Sequence, residues 1–473
     1  MIKLTILHTN DVHGRVSQLS RIAALVREIR KEVEAEGGYC LYVDAGDSED
    51  TTLLESSLTK GSAMNAILRG AGCEFAALGN AIPIRYGQEA ISDLAMHFGR
   101  PLLCANFLDG ENNLVAGLEP FVIQSFGTFN LGIIGVTDPM KTYETFFHLK
   151  PQQPDDILPT LIEHVHDLGA QTILLLSHLG LRDDRRVTET VSGIDVLIGG
   201  HSHDALNPPL KINETIVAQA GEYGKFLGRL DLVIDPASGK IVQHAGELLP
   251  VDESIAPDSQ VEQVVQAQHE RVDRMMKHVV GELAIPVDLA DDRECTAGNL
   301  LADALLERVH GAQIALVLAG HWNTGLEAGT ITQGALFSAN RSTANPAKTV
   351  LTGAQILEFL RKALRPENAA RTLRPLRGLA VGMPHIAGGC VRYSPDLERI
   401  QVKVNGQPLE PGHTYTVAST DMEFSEIINY LVLPEEQIDF EVPTIMPEVL
   451  EDYITRHSPM GQPPSERLLC TET

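Results

Sequence analysis

Along the first half of the chain, short apolar runs alternate with amphipathic stretches. The runs are LTILHT (4–9), YCLYVDAG (39–46), EFAALGN (74–80), LGIIGVTD (131–138), TILLLSHLG (172–180) and DVLIGGHSH (195–203). Each holds four to seven mostly aliphatic or β-branched residues and closes on a polar cluster, the pattern of buried strands whose following loops carry chemistry. Between them, 19–33 and 158–169 space their apolar residues at helical intervals. This alternation predicts a layered α/β domain over 1–250. The segment 254–281 then places Val261, Val264, Val265, Val272, Met275 and Val279 at helical spacing, with Pro257 and Asp258 suited to its start and Gly281 to its end. We read 251–281 as an inter-domain linker helix whose methionines pack in a core. A second α/β domain follows over 282–473, with runs IALVLAG, GCVRYS, IQVKVNG and YTVAST and helices expected at 297–309 and 353–364.

A chain of 473 residues exceeds one ordinary core, which agrees with two domains. The formal net charge of −26 argues against nucleic acid or an anionic membrane as partner, so an anionic substrate needs local positive charge, which metal ions would supply. The opening MIKLTILHTNDVHG has no apolar signal region, and no run of about 18 apolar residues could span a bilayer. The six cysteines (Cys40, Cys73, Cys104, Cys295, Cys390, Cys470) show no CxxC spacing. A cytoplasmic location with free thiols is expected.

The polar residues that close the runs form a constellation: Asp11 and His13 in DVH, Asp47 in DAGD, Asn80 in LGN, His178 in LSH, His201 and His203 in GGHSH. In extended backbone, residues two apart face the same side, so each DxH or HxH pair can offer two ligands to one centre. Carboxylate, amide and imidazole suit Mn, Zn, Fe or Co. Two such ions about 3.5–4 Å apart activate a water between them and neutralise phosphoryl oxygens, which makes phosphate-ester hydrolysis the expected reaction.

The order DxH, GD, GN, H, GHxH resembles the calcineurin-like metallophosphoesterase superfamily, and HTNDVHG with GEYGKFLGRLDL (221–232) is similar to its 5′-nucleotidase/UDP-sugar hydrolase/cyclic-nucleotide phosphodiesterase branch. RECTAGNLLADAL (293–305), LEAGTITQGAL (326–336), TVLTGAQILEFL (349–360) and PGHTYTVAST (411–420) resemble the C-terminal domain of that branch. The resemblance implies a four-layer α/β sandwich followed by a second α/β substrate domain. It also implies two divalent ions, one on Asp11, His13, Asp47 and His203, the other on Asp47, Asn80, His178 and His201.

Two departures qualify the activity. Where the family continues GNHE-F-D, this chain reads GNAIPIRYG, so Ala81 and Ile84 replace a His–Asp dyad that assists the leaving group. Neither can transfer a proton, a contribution of roughly 10²–10⁴-fold. His8, Arg85 or His321 could stand in, although His8 reads as a strand residue and Arg85 as a surface charge. Where the family has NGGxR, this chain has LAGHWNTG, with Asn323 at the arginine position beside His321 and Trp322; RSTAN (341–345) replaces PFGN. Of the two aromatic rings that clamp a base, the first aligns with Met383 and the second is displaced to Phe424. Loss of stacking, about 1–3 kcal/mol per base, implies altered nucleotide selectivity. His321, Trp322, Asn323, Met383 and Phe424 are thus the candidate substrate residues. The leading expectation is a metal-dependent phosphoesterase acting on a small phosphorylated metabolite. A sensor that binds such a ligand without turnover, and a hydrolase of sulfur or sulfate esters, are the competing readings.

Overall fold

The computed structural model describes residues 1–51, 53–373 and 379–471. The chain divides into two compact units, Met1–Val272 and Asp273–Thr473.

In the first unit two sheets face each other. One runs in the order Ile241–Pro250, Phe226–Ile234, Ile2–Thr9, Tyr39–Asp44, Phe75–Ala76. Its last three strands are parallel, and the pair Ile2–Thr9/Phe226–Ile234 is antiparallel. The other sheet runs Leu210–Ile212, Thr215–Ala218, Val196–Gly199, Thr172–His178, Phe129–Thr137, Phe121–Phe126, with its four inner strands parallel. Leu4, Ile6 and Val43 from one sheet pack against Ile133, Leu174 and Ile198 from the other. The outer faces carry helices. Val16–Ala35 buries Leu19, Ile22 and Val26 on the first sheet, and Pro154–Asp167 buries Leu158, Ile162 and Val165 on the second. Parallel strands buried on both faces need continuous apolar runs, which accounts for the pattern of TILLLSH and DVLIG. The result is the expected four-layer arrangement.

The second unit holds a five-stranded sheet in the order Pro384–Ala387, Ile314–Leu318, Thr414–Thr420, Pro346–Thr352, Ile438–Phe440 and a four-stranded sheet, Gln407–Pro408, Ile400–Val404, Gly389–Tyr393, Leu468–Cys470. Helices Thr296–Arg308 and Gly353–Ala363 lie within a residue or so of their expected bounds. Thr352 and Gln355 cap the latter reciprocally, satisfying two otherwise orphaned donors.

Two expectations about elements need correction. The long helix ends at Met276, and Val279–Leu283 is a strand paired antiparallel with Gly329–Thr332, not the last helical turn. Two adjacent β-branched residues there fit a sheet register better than a helix end. The run EFAALGN yields only a two-residue strand, because after Ala76 the chain turns so that Leu78 N–H reaches Leu103 O. Of the helix Ser259–Met276, Val261 and Val265 join the core of the first unit, and the division between units falls near its end. No helix among the described residues is long and apolar enough to cross a membrane.

Candidate metal centre

All seven sequence candidates converge at one edge of the first unit. Asp11, His13, Asp47 and Asn80 follow strands of one sheet; His178, His201 and His203 end or follow strands of the other. Asp11, His13 and His203 bring ligand atoms within 4.8 Å of one another, as do Asp11, Asp47 and His178. Asn80 Oδ1 lies 3.0 Å from His178 Nε2 and 2.8 Å from His201 Nδ1, which ties the remaining two residues into the cluster.

The backbone achieves this differently from the pleat expected for DxH and HxH. The strand Ile2–Thr9 has already ended before Asp11, and Asp11, His13, Asp47, His201 and His203 all adopt left-handed conformations, with φ of 50°, 47°, 52°, 72° and 62°. For residues with a Cβ this conformation is uncommon and costs about 1–2 kcal/mol each. Such strain persists where tight turns fold several side chains back onto one point. Glycines make the turns possible. A Cβ on Gly79 would lie 2.0 Å from Asp47 Oδ1 and 2.3 Å from Asp47 N, and one on Gly46, itself at φ 97°, would lie 2.8 Å from His178 Nδ1.

The hydrogen bonds fix which nitrogen each imidazole turns inward. His178 Nδ1 lies 2.8 Å from Ala45 O and His13 Nδ1 3.2 Å from Glu49 O. His203 Nδ1 lies 2.9 Å from Glu222 Oε2. A carbonyl or carboxylate oxygen can only accept, so each Nδ1 carries the proton and each neutral ring presents the Nε2 lone pair to the centre. There, His13 Nε2 and His203 Nε2 sit 3.2 Å apart, at 3.6 and 3.4 Å from Asp11 Oδ1. Asp11 Oδ1 is buried without a hydrogen bond, whereas Oδ2 accepts from Asn10 Nδ2 and His201 N–H. His178 Nε2 faces Asn80 Oδ1 and, at 3.3 Å, Asp47 Oδ2. These are clusters of acceptors facing acceptors, and only a cation placed among them makes the arrangement favourable. The donor set fits a divalent metal.

The electrostatics agree. Burial opposes charge on His178, yet Asp47 beside it outweighs burial and lifts the imidazole to about 10, so without a metal a proton on Nε2 takes the cation's part, and the ring presents its Nε2 lone pair only when a bound cation displaces that proton. Burial likewise pushes Asp47 up, but His178 and the Ala81 N–H, 2.9 Å from Oδ1, hold it down to about 2. His201 is lowered by burial and by His178, while its Nε2 lies 3.7 Å from Asp138 Oδ2. Glu222 and Asp138, partners of His203 and His201, were missed from the sequence. Glu222 lies within the segment GEYGKF and Asp138 closes the run LGIIGVTD, a carboxylate after a strand in each case.

Around Asn80 the departures keep a structural task. Ala81 contributes its N–H to Asp47, and Ile84 packs against the helix-side core of the unit. His8 does not substitute for the dyad. It shares the face of Leu4 and Ile6 between the sheets, is 1% exposed, and has Gly228 against its ring, where a Cβ would lie 2.1 Å from Nε2. Arg85 lies over the Tyr86 ring at 5.6 Å.

The candidate substrate residues belong to the second unit. His321 is buried, with Nδ1 2.7 Å from Ser342 Oγ and Nε2 2.9 Å from Glu423 Oε1. Trp322 is buried, Asn323 Oδ1 accepts from Arg341 N–H, and Phe424 packs at 6.2 Å from Phe359. Met383 lines a pocket with Leu364 and Tyr393. Within the unit, His321, Trp322 and Phe424 thus face internal partners, Phe424 and Met383 sharing one core and Trp322 lying in the other.

Residues 4–205 match the calcineurin-like phosphoesterase family and 278–433 the 5′-nucleotidase C-terminal domain. An uncharacterized metallophosphoesterase of Bacillus subtilis, YunD, is 26% identical over 461 residues, 96% of this chain and 98% of its own. The snake venom 5′-nucleotidase of Gloydius brevicauda is 28% identical over 349 residues, 64% of this chain and 58% of that protein, so the match spans under two thirds of that relative's length. The crystal structure of a 5′-nucleotidase precursor from Thermus thermophilus shares the fold over the whole of both chains, with a TM-score of 0.54 at 23% identity.

Proposed function

Because the chain belongs to the calcineurin-like metallophosphoesterases that carry a 5′-nucleotidase C-terminal domain, we propose that it hydrolyses the phosphate ester of a small phosphorylated metabolite with two divalent metal ions. Asp11, His13 and His203 would hold one ion and Asn80, His178 and His201 the other, with Asp47 between them. When bound, the ions supply positive charge for the phosphoryl oxygens and lower the pKa of water at the centre. The observation that carries this reading is the set of inward Nε2 lone pairs facing the orphaned Asp11 Oδ1.

The chain's own residues prepare this arrangement. Ala45 O, Glu49 O and Glu222 lock three imidazoles in one tautomer, and second partners of this kind typically account for 10–100-fold in metal affinity or activity. Ala81 N–H fixes the rotation of Asp47. With Ala81 and Ile84 in place of an acid and its orienter, the site favours esters whose leaving groups need little protonation. The six free cysteines fit a reducing compartment such as the cytoplasm.

The test is metal analysis joined to turnover. Manganese-loaded protein should hold two ions per chain and hydrolyse p-nitrophenyl phosphate or its diester, and Asp47→Asn should lose both properties. Retention of two ions with no turnover across a broad monoester and diester panel would overturn hydrolysis. Replacing Ala81 by His together with Ile84 by Asp should then raise kcat for an alkyl ester about 10²–10⁴-fold.

A further inference from the structure

Three loops of the second unit meet at one edge of its five-stranded sheet. Strands Ile314–Leu318 and Thr414–Thr420 are parallel and end there, and Pro346–Thr352, antiparallel to the latter, begins there. His321 lies just past the first strand, Glu423 just past the second and Ser342 just before the third. The carboxyl ends of parallel strands are where open sheets commonly hold ligands.

The three side chains form one chain of hydrogen bonds. Glu423 is fully buried, and Leu318 N–H donates to its Oε1 at 3.0 Å while the N–H of Thr420, at 3.2 Å, and the Thr420 hydroxyl donate to Oε2. Such donors favour the ionised carboxylate. His321 Nε2 lies 2.9 Å from Glu423 Oε1, and Nδ1 lies 2.7 Å from Ser342 Oγ. A carboxylate can only accept, so Nε2 carries the imidazole proton and Nδ1 its lone pair. Ser342 Oγ receives Ala344 N–H at 3.3 Å and donates its own proton to Nδ1. Hydroxyl, imidazole and carboxylate in this order activate a serine as a nucleophile. Exposure falls along the chain, from 8% at Ser342 to 2% at His321 and 0% at Glu423, and Ser342 stands between the exposed Arg341 and Thr343. The serine is the end nearest solvent.

Two unspent donors lie alongside. Trp322 Nε1 and Asn340 Nδ2 are buried and, among the described residues, have no acceptor. Trp322 and Asn340 oppose each other in an antiparallel bridge, so their side chains share one face. The Asn340 amide is tied to the serine, because its Oδ1 accepts Ser342 N–H at 3.0 Å. Buried N–H groups without an acceptor are rare, and a pair of them beside a serine hydroxyl suits an oxygen that gains negative charge.

We propose that Ser342 and His321, with Glu423 as the positioning residue, form a second, metal-independent site that hydrolyses esters of short carboxylic acids. Ser342 Oγ bonds to the ester carbonyl carbon while its proton passes to His321 Nδ1. The ester C–O bond then breaks, and that proton leaves with the alcohol. Water repeats the sequence on the acyl-serine, releasing the acid and restoring the hydroxyl. The small exposure of Ser342 limits the acyl group to about the size of acetyl.

The experiment is labelling of chelator-treated protein by methanesulfonyl fluoride, read by mass spectrometry of the intact chain and its peptides. An O–S bond forms at Ser342, the S–F bond breaks, fluoride leaves and the proton goes to His321. Folded native protein should take up a single sulfonyl group, on Ser342, at least about 10²-fold faster than the urea-unfolded chain does. His321→Gln should remove most of that advantage. Glu423→Gln should lower it at least about tenfold, and Glu423→Asp, which keeps the anion, should recover part of it. Hydrolysis of p-nitrophenyl acetate by the labelled native protein should fall to the level of Ser342→Ala. No adduct on Ser342, labelling no faster than in the unfolded chain, or a rate indifferent to the His321 and Glu423 substitutions would each overturn the site. Equal ester hydrolysis by unlabelled native protein and Ser342→Ala would overturn the substrate class. Where a buried substitution prevents folding, the comparison of folded with unfolded native chain decides alone.

Discussion

Asp11→Asn separates what the acceptor cluster does for stability from what it does for metal binding. Asp11 Oδ2 accepts from Asn10 Nδ2 at 2.7 Å and from His201 N–H at 2.8 Å, so the amide oxygen of the variant takes that place and its NH2 replaces Oδ1. The atom replaced lies 3.4 Å from His203 Nε2 and 3.6 Å from His13 Nε2. A donor now stands within hydrogen-bond reach of the His203 lone pair, while 3.6 Å to His13 is too long for a bond. One neutral hydrogen bond contributes about 0.5–1.5 kcal/mol, so the metal-free variant should be more stable than the metal-free native protein by that amount. For a unit spanning Met1–Val272, about 2 °C accompanies each kcal/mol, which places the midpoint about 1–3 °C higher. The same change removes an anion from the centre, so the variant should gain little on adding manganese, whereas the native protein gains by mass action. Calorimetry of chelator-treated samples with and without manganese, together with metal analysis, reads both effects. A metal-free variant that melts at or below the native protein would refute the assignment of Asp11 Oδ1 to an acceptor-only cluster.

Gly79→Ala should abolish metal uptake and cost about 1–3 kcal/mol, because the Asp47 N atom 2.3 Å from the added Cβ is backbone and cannot swing aside; metal content and the urea midpoint measure this. His321→Ala leaves the fully buried Glu423 without its imidazole partner, and unfolding of the second unit should become easier by about 3–5 kcal/mol, read from its urea transition. Burial lowers both His8 and His385 to about 4. The unfolded chain takes up these protons near 6.5 and the folded chain only near 4, so stability is complete above about 6.5, declines as pH falls towards 4, and is flat in these groups below that. The loss approaches about 3 kcal/mol per histidine. The buried Asp44 and Asp184 carboxyls, raised by burial to about 8, act in the opposite sense over the same window, so the histidine contribution is read as the difference in urea midpoint between the native protein and His385→Gln, and a difference that does not change between about pH 6.5 and 4 would refute it.

Much of the architecture follows from local chemistry. Runs such as TILLLSH can only be strands buried on both faces, and Leu19–Val26 can only be one apolar face of a helix, since alternation and 3.6-residue spacing are properties of the backbone itself. The seven polar residues that end those runs are likewise legible, because a carboxylate, amide and imidazole set has few other uses at strand ends. The segments after Ala76 and Met276 were less legible: whether Leu78 turns toward Leu103, and whether Val279 continues a helix or pairs with Thr332, depends on partners far away in sequence.

What the tertiary structure alone decided is how the centre is aimed. Asp11, Asp47 and Asn80 come from one sheet and His178, His201 and His203 from the other, and their meeting depends on two sheets packing through Ile6, Val43, Leu174 and Ile198. The tautomers set by Ala45, Glu49 and Glu222 and the bond from Tyr223 N–H to Asp11 O are contacts between segments up to about two hundred residues apart, and the left-handed turns at five of the seven residues persist under them. Sequence spacing carries no term for such contacts. The residue types at the centre were therefore readable from the chain, while the direction each one faces was fixed only when the two sheets closed on each other.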